Sequence, residues 1–235
     1  MTAWMSKPAA ATGSGAPVPE TGAPEPGRAE VEAVSNERLG ARLRELRLGS
    51  GKSLRALARE LGISASAVSQ IERGALRPSV SRLIAIVTAL DVPLAAVFDA
   101  SAKETDAGAA TAAGAGADGG EPGPVVIRRS WEVAPVFLDG GVVFRRLSPA
   151  PVPDVEFFES TYPPGSVSNA HRQFLKHEGH EVGTVTQGEL TIEFDAETVT
   201  LRAGDSITYP CRRPHIISNR SPTATAVATW LIIHR

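Results

Sequence analysis

Cysteine is almost absent from this 235-residue chain, and so is any long apolar run. Cys211 is the only cysteine, which excludes an internal disulfide and any zinc site built from several cysteines. No stretch approaches the roughly 18 apolar residues that a membrane-spanning helix needs. The opening residues, MTAWMSKPAAATG, lack the apolar run of about 7–15 residues that marks a secretory signal. We therefore expect a cytoplasmic protein with no membrane partner.

Large apolar side chains are scarce in two stretches of the chain, 1–35 and 99–124. Segments rich in Ala, Gly, Pro and Glu cannot bury enough surface to offset the entropy lost on ordering. The composition predicts a disordered tail over 1–35 and a flexible Ala/Gly-rich linker over 99–124. Two folded blocks remain, 36–98 and 125–235.

The net charge of −2 conceals an uneven distribution. Residues 36–98 contain ten Arg or Lys and five Asp or Glu, so this block carries +5 and the rest of the chain −7. Such asymmetry is typical of a nucleic-acid-binding module joined to a domain with another task. A solvated basic helix face would give the same charge, so charge alone leaves both interpretations open.

The first block has the periodicity of short helices. Leu39, Leu43 and Leu46 recur on one helical face. Serines are placed as N-caps and glycines as terminators of the helices that follow, and a short last helix carries Leu94 and Phe98. The pattern predicts an all-α domain of five helices over 36–98.

The stretch SLRALARELGISASAVSQIERGALRPSVSRLIAIVTALDVPL resembles the phage-repressor-like XRE family of helix-turn-helix regulators. A helix, a turn at Gly62 and a second helix in a basic block form the DNA-reading unit of that family. The resemblance implies an ion pair between Arg47 and Glu72 that is structural and does not touch DNA. One recognition helix reads only a few base pairs, so we also expect a homodimer on double-stranded DNA with an inverted-repeat operator. A helical bundle used for protein contact is the alternative.

The predicted DNA-binding residues fall into base readers and phosphate holders. Gln70 is the best candidate reader, because its amide can pair bidentately with adenine. The outward face of the recognition helix also carries three small side chains, and polar or basic residues near helix ends are placed to hold phosphates. The full set is Ser53, Arg55, Ser64, Ala65, Ser66, Ser69, Gln70, Arg73, Arg77 and Arg82.

The second block, 125–235, has the pattern of an all-β domain. Turn residues separate β-rich runs such as VVFRRL, EFFESTY, LTIEF, TVTL, SITYP and ATAVATWLII. Many short strands between turn signals indicate a sandwich or barrel.

Two motifs in this block resemble those of the cupin superfamily, KHEGHEVGTVTQGEL and GDSITYPCRRPHIISN. The resemblance implies a double-stranded β-helix, or jelly-roll barrel, and carries over three of the four usual metal ligands, His177, Glu181 and His215. Leu175 stands where the first motif histidine would fall, and Arg212 replaces the inner glycine of the second motif. The three residues could hold a divalent metal with open positions, or they could hydrogen-bond an organic ligand directly.

Other titratable residues near the motifs lie off the pattern. We expect His171 and His180 on the surface, and Cys211 buried and inert rather than reactive.

The combination of the two domains resembles regulators whose cupin senses a small molecule. We therefore expect a sequence-specific transcription regulator that is not an enzyme, with a small-molecule effector and no certain cofactor beyond a possible divalent metal. Two alternatives stay open. One is a cupin metalloenzyme of dioxygenase or isomerase type tethered to a DNA-binding module, and the other is a cupin used only for dimerisation.

Overall fold

The fold is known from a computed structural model that describes residues 28–98, 125–129, 132, 134–169, 174 and 176–234. The N-terminal domain contains four α-helices and a closing 3₁₀ helix. They are α1 (Arg28–Gly49), α2 (Leu54–Glu60), α3 (Ala65–Glu72), α4 (Val80–Leu90) and the 3₁₀ helix (Leu94–Phe98). The five predicted helices are confirmed, with the last one of 3₁₀ type. None of the described helices is long and apolar enough to cross a membrane.

Serine caps begin the three middle helices, as the sequence predicts. The hydroxyl oxygens of Ser53, Ser64 and Ser79 each accept a hydrogen bond from the backbone amide three residues further on. Capping satisfies one of the donors that a helix leaves free at its first turn.

The first helix begins earlier than the sequence predicts. The expected disordered tail ran to residue 35, but α1 starts at Arg28. The added turns are held from outside: Glu32 pairs with Arg77 at 2.9 Å, and Ser35 Oγ donates to Pro135 O at 2.8 Å. Composition could not reveal these contacts, because both partners are distant in sequence. Residues 1–27 of the predicted tail and the predicted linker over 99–124 lie outside the described residues.

Helices α1 and α3 approach each other at Gly40. A Cβ atom at this position would lie 2.5 Å from Ile71 O and 2.8 Å from Gly74 N. Leu39 and Leu43 beside it are buried in the same core. Glycine is therefore required sterically in the middle of a helix that it would otherwise weaken.

The C-terminal domain is built from two antiparallel sheets. The larger has the order β1-β2-β3-β9-β4-β7 and the smaller the order β6-β5-β8 among the described residues. The strands are β1 (Val136–Phe137), β2 (Val143–Arg146), β3 (Val155–Tyr162), β4 (His180–Gln187), β5 (Glu189–Phe194), β6 (Thr198–Arg202), β7 (Ser206–Pro210), β8 (His215–Ser218) and β9 (Ala226–Ile233). Along β9 every second residue is buried, the alternation of a strand with one core face. The predicted all-β jelly-roll architecture is confirmed.

The two domains pack directly against each other, which the sequence did not predict. The ring of Phe98 lies 5.5 Å from that of Phe158 on β3. Next to it, buried Glu156 accepts a hydrogen bond from Ala95 N of the 3₁₀ helix at 2.9 Å. The end of the helical domain is therefore anchored on the cupin sheet.

Candidate DNA-binding surface and cupin site

Helix α3 presents a polar face to solvent. Gly62, with φ +65°, makes the turn between α2 and α3, and the Ser64 cap fixes where α3 begins. Val68 and Ile71 are buried in the helical core. The opposite face leaves Ser66, Gln70 and Arg73 exposed. The helix-turn-helix geometry that the sequence predicts is present.

The other predicted DNA-binding residues differ in how free they are. Ser53, Arg55 and Ser64 are exposed, whereas Ala65 and Ser69 are half-buried. Arg77 and Arg82 are also half-buried and already engaged. The first pairs with Glu32, and Arg82 Nη1 donates to Leu61 O at 3.0 Å.

The predicted ion pair between Arg47 and Glu72 is confirmed. Arg47 Nε donates to Glu72 Oε1 at 2.5 Å, and Nη2 donates to Oε2 at 2.9 Å. Both side chains are less than a tenth exposed. The bidentate hydrogen bond to Glu72 raises the pKa of Arg47. Glu72 faces α1, away from the exposed face of α3.

The three predicted ligands of the cupin domain come together. His177 precedes β4, Glu181 lies on β4, and His215 is the first residue of β8. One potential ligand atom from each lies within 4.8 Å of the others, and His215 Nε2 is 3.6 Å from Glu181 Oε2. Residues distant in sequence converge because β4 and β8 belong to facing sheets.

Hydrogen bonds to backbone carbonyls orient both imidazole rings. His177 Nδ1 lies 3.1 Å from Glu178 O, and His215 Nδ1 lies 2.9 Å from Arg213 O. A carbonyl oxygen only accepts, so each Nδ1 carries the proton and each Nε2 offers its lone pair to the centre. Such outer contacts are characteristic of histidines that bind metals.

The site is buried and polar. Burial raises the pKa of Glu181, an effect that nearby His177 opposes. Burial lowers the pKa of both His177 and His215. His177 Nε2 and Glu181 Oε2 are buried and have no hydrogen-bond partner among the described residues. Two neutral imidazoles and a carboxylate with free electron pairs fit a divalent cation.

Tyr209 is a member of the site that sequence reasoning missed. It lies directly opposite Glu181 in the β4–β7 pair, and its ring is 5.0 Å from that of His215. Burial and neighbouring Glu181 raise its pKa well above the usual value, so the hydroxyl stays protonated. The sequence signal that could have found it is the alternation of side chains along the strand SITYP, which places Tyr209 on the same face as Ile207.

The remaining predictions for this domain concern residues near the two motifs. His180 is exposed, as expected. Cys211 is fully buried, and burial raises the pKa of its thiol to about 12, which agrees with an inert cysteine. His171 and Leu175 lie outside the described residues.

Comparison with known proteins agrees with both halves of this architecture. Residues 38–98 match the helix-turn-helix domain family, and residues 158–232 match the cupin domain family. The chain belongs to the helix-turn-helix transcription regulators, and it carries a cupin domain as well. It is a DNA-binding regulator of transcription.

Particular relatives support this membership. The chain is 28% identical to the HTH-type transcriptional regulator PuuR of Escherichia coli K12 over 182 residues, 77% of this chain and 88% of PuuR. It is 38% identical over 93 residues to the transcriptional regulator ClgR of Mycobacterium tuberculosis, 35% of this chain and 83% of ClgR. A crystal structure of an HTH_3 family transcriptional regulator from Vibrio cholerae has a TM-score of 0.60 and 20% identity. That likeness covers 87% of this chain and 99% of the other.

Proposed function

We propose that this regulator reads an inverted-repeat operator as a homodimer in the cytoplasm, and that its cupin binds a small-molecule effector without turning it over. The observation that carries the sensing role is the buried cluster of His177, Glu181 and His215, whose free electron pairs converge. Buried polar groups without partners are costly, so a site that keeps them is built for a ligand.

The same cluster supports a divalent metal as the anchor for the effector. His177, Glu181 and His215 would hold it, leaving open positions for ligand oxygens. When bound, such a metal supplies a Lewis-acidic centre for carboxylate or carbonyl groups. Tyr209 places a protonated hydroxyl beside Glu181, where it can donate to the effector.

A titration with Mn²⁺, followed by calorimetry on the full chain, tests the cupin site. Wild type should bind one ion per chain. His215→Gln should abolish binding, whereas the control His180→Gln, which changes an exposed histidine on β4, should not. If wild type and His215→Gln bind alike, the metal assignment is wrong. A thermal shift across a metabolite library would then detect an organic ligand, because a ligand of the folded state must stabilise it.

The DNA half of the proposal assigns base reading to Gln70 and phosphate contact to Arg73. Gln70→Ala should cost about 1–3 kcal/mol of discrimination at one base pair of each half-site. Arg73→Ala should weaken binding to all sequences alike and reduce the salt slope by about 1. Identical behaviour of the two variants against operator mutants would contradict this division.

A metal-dependent oxygenase is the second candidate. Two histidines and one carboxylate with open positions are the ligand set of non-haem iron oxygenases. Oxygen consumption by the Fe²⁺-loaded chain, measured with the ligand that the thermal shift identifies, separates the candidates. Consumption in proportion to ligand would support an enzyme, and none would support a sensor.

A further inference from the structure

The cupin domain contacts the beginning of α4, at the edge of the proposed DNA-binding surface. Ser81 N donates to Ser168 O at 3.1 Å, and Asp139 N donates to Pro78 O at 3.0 Å. Ser81 belongs to the first turn of α4, and Pro78 directly precedes its cap. Two cupin loops therefore seat on the entrance of this helix through backbone hydrogen bonds.

The Ser81 amide is one of the donors that a helix leaves free at its N-terminus. The neighbouring Arg82 amide is capped by Ser79 Oγ at 3.2 Å. Free backbone amides at a helix N-terminus can donate hydrogen bonds to phosphate oxygens, and proteins that bind DNA use helix N-termini in this way. Here the Ser168 carbonyl oxygen takes the place that a phosphate oxygen would take.

The basic side chains beside the α4 entrance also hold protein oxygens. Arg77 pairs with Glu32 at 2.9 Å, and Arg82 donates to Leu61 O. Glu32 lies on the early turns of α1, which Ser35 fastens to the cupin through Pro135 O. Both arginines that the DNA-binding proposal assigns to phosphates are therefore engaged within the helical domain, and the cupin is linked to the Arg77 contact through α1.

Two backbone hydrogen bonds hold the cupin on the α4 entrance, beside an open cleft. A cleft of about 600 Å³ runs along α4 and reaches Asp139 and Lys176 of the cupin. The firmer anchor, Glu156 with Ala95, lies beyond the other end of α4. The 11 residues of α4 span about 16 Å. Separation at the α4 entrance would also part α1 from β1 and Pro135, while the 3₁₀ helix could stay on the cupin.

The docked loop is attached to the strand that supplies a site histidine. Ser168 N donates to Ile217 O at 2.8 Å, and Ile217 N donates to Ser168 Oγ at 3.1 Å. Ile217 lies two residues after His215 on β8. A ligand that moves His215 therefore acts on the same segment that holds Ser81.

We propose that the cupin and DNA compete for the N-terminal end of α4. In the docked state, Ser168 and Asp139 hold the α4 entrance. DNA binding displaces both loops, and the domains stay joined at the 3₁₀ helix. This inference rests on the DNA-binding surface proposed above, since it needs phosphates to approach Arg77 and Ser81.

Amide hydrogen exchange on the unmodified full chain tests the competition directly. The probe is a random-sequence duplex of about 30 base pairs, because phosphate contacts do not depend on sequence. In the free chain both the Asp139 and Ser81 amides should exchange slowly. With saturating duplex the Asp139 amide should lose protection, while the Ser81 amide keeps it by binding phosphate. Unchanged protection of Asp139 in the complex would overturn the proposal.

Two variants free groups at the α4 entrance: one weakens the cupin contact, and the other releases a basic side chain. Asp139→Pro removes the N–H that reaches Pro78, at the first residue of a 3₁₀ turn where proline is tolerated. Glu32→Gln releases Arg77. Each should tighten duplex binding about fivefold or more, and Glu32→Gln should steepen the salt slope by about one unit.

Controls separate release from the loss of negative charge. Asp139→Asn keeps the N–H, and Glu30→Gln makes the same charge change at an exposed position of α1. Both should change affinity less than their partners, and equal gains would contradict the competition. Arg73→Ala tests the DNA surface in the same assay. If it leaves affinity unchanged, the surface itself is wrong, whereas a loss with it but no gain from the opening variants overturns only the competition.

Discussion

Gly40 and Gly49 show how one residue type can have opposite value within a single helix. A Cβ at Gly40 would collide with backbone atoms of Ile71 and Glu72, whereas a Cβ at Gly49 would have no neighbour within 4 Å. Alanine is intrinsically favoured over glycine in a helix by about 1 kcal/mol. Of these two positions in α1, only that of Gly40 has a steric reason to be glycine.

We predict that Gly40→Ala destabilises the chain, because rigid backbone cannot yield to the new methyl group. A loss of about 1–3 kcal/mol is typical of overpacking. The matched control Gly49→Ala should be neutral or slightly stabilising. Urea denaturation followed by circular dichroism measures both. Similar effects of the two substitutions would mean that α1 can shift away from α3.

His215 should make the metal-free protein sensitive to mild acid. Burial lowers its pKa below the usual value, and its hydrogen bond to the Arg213 carbonyl only partly opposes this. The unfolded state takes up the proton near pH 6.5, before the folded state does. Stability is therefore full above that pH and falls as the pH drops from about 6.5 toward the lowered folded value.

The free energy of unfolding of wild type should accordingly decrease, relative to His215→Gln, between pH 7.5 and 5.5. Urea titrations in the presence of a chelator at several pH values measure the difference. Parallel curves for the two proteins would show that His215 titrates alike in the folded and unfolded states.

At the scale of elements, the Arg47–Glu72 pair joins α1 to α3 across the helical core. Removing one partner of a buried pair strands the other charge and costs about 3–5 kcal/mol. We predict that Glu72→Ala unfolds or strongly destabilises the helical domain and lowers DNA binding for that reason. The control Glu60→Ala breaks the exposed pair with Lys52 and should cost under about 1 kcal/mol. Thermal melting of the full chain distinguishes them, and equal melting points would contradict a structural role for Glu72.

Local patterns predicted the elements whose determinants lie within a few residues. The caps at Ser53, Ser64 and Ser79 and the apolar face of α4 are local features, and the structure has them where expected. Strand β4 could be recognised from the motif but not from its hydrophobic pattern, since HEVGTVTQ has no apolar alternation. One of its inward positions is Gly183, which leaves space for the ring of Trp230. The early start of α1 depends on contacts with Arg77 and Pro135. The residues near position 30 therefore do not by themselves predict it.

The cupin site was predictable to the extent that its motifs keep their spacing. His177, Glu181 and His215 came from the two motifs, and the structure brings them together. Tyr209 was missed because the motif gives it no role, and only the pairing of β4 with β7 places it opposite Glu181. Contacts between the domains were beyond sequence reasoning, since nothing in a strand pattern shows which face another domain covers.

At the scale of the whole molecule, Glu156 holds the two domains together. Its carboxylate accepts from Ala95 N at 2.9 Å and lies 3.1 Å from His234 Nε2. The side chain is 4% exposed, and its loss would leave a partly buried backbone donor of the 3₁₀ helix without this partner. The two domains should therefore unfold as one cooperative unit in wild type.

We predict that Glu156→Ala costs about 1–3 kcal/mol and separates the unfolding of the two domains into two calorimetric transitions. The control Glu159→Ala acts on the same strand but breaks a partly exposed pair with Arg145. It should cost less than about 1 kcal/mol and leave a single transition. A single transition in Glu156→Ala would mean that the ring contact of Phe98 and Phe158 is sufficient to couple the domains.

The reactivity of the buried thiol of Cys211 can report how often the barrel opens. Burial raises the pKa of this thiol to about 12, so it stays protonated at pH 8, and the residue has no exposed surface. A maleimide can therefore react only during moments when the turn between β7 and β8 swings open. Since the chain has no second cysteine, the rate of mass gain counts those openings without any engineered label. Any compound that stabilises the closed barrel around His215 will lower the rate at which Cys211 is labelled.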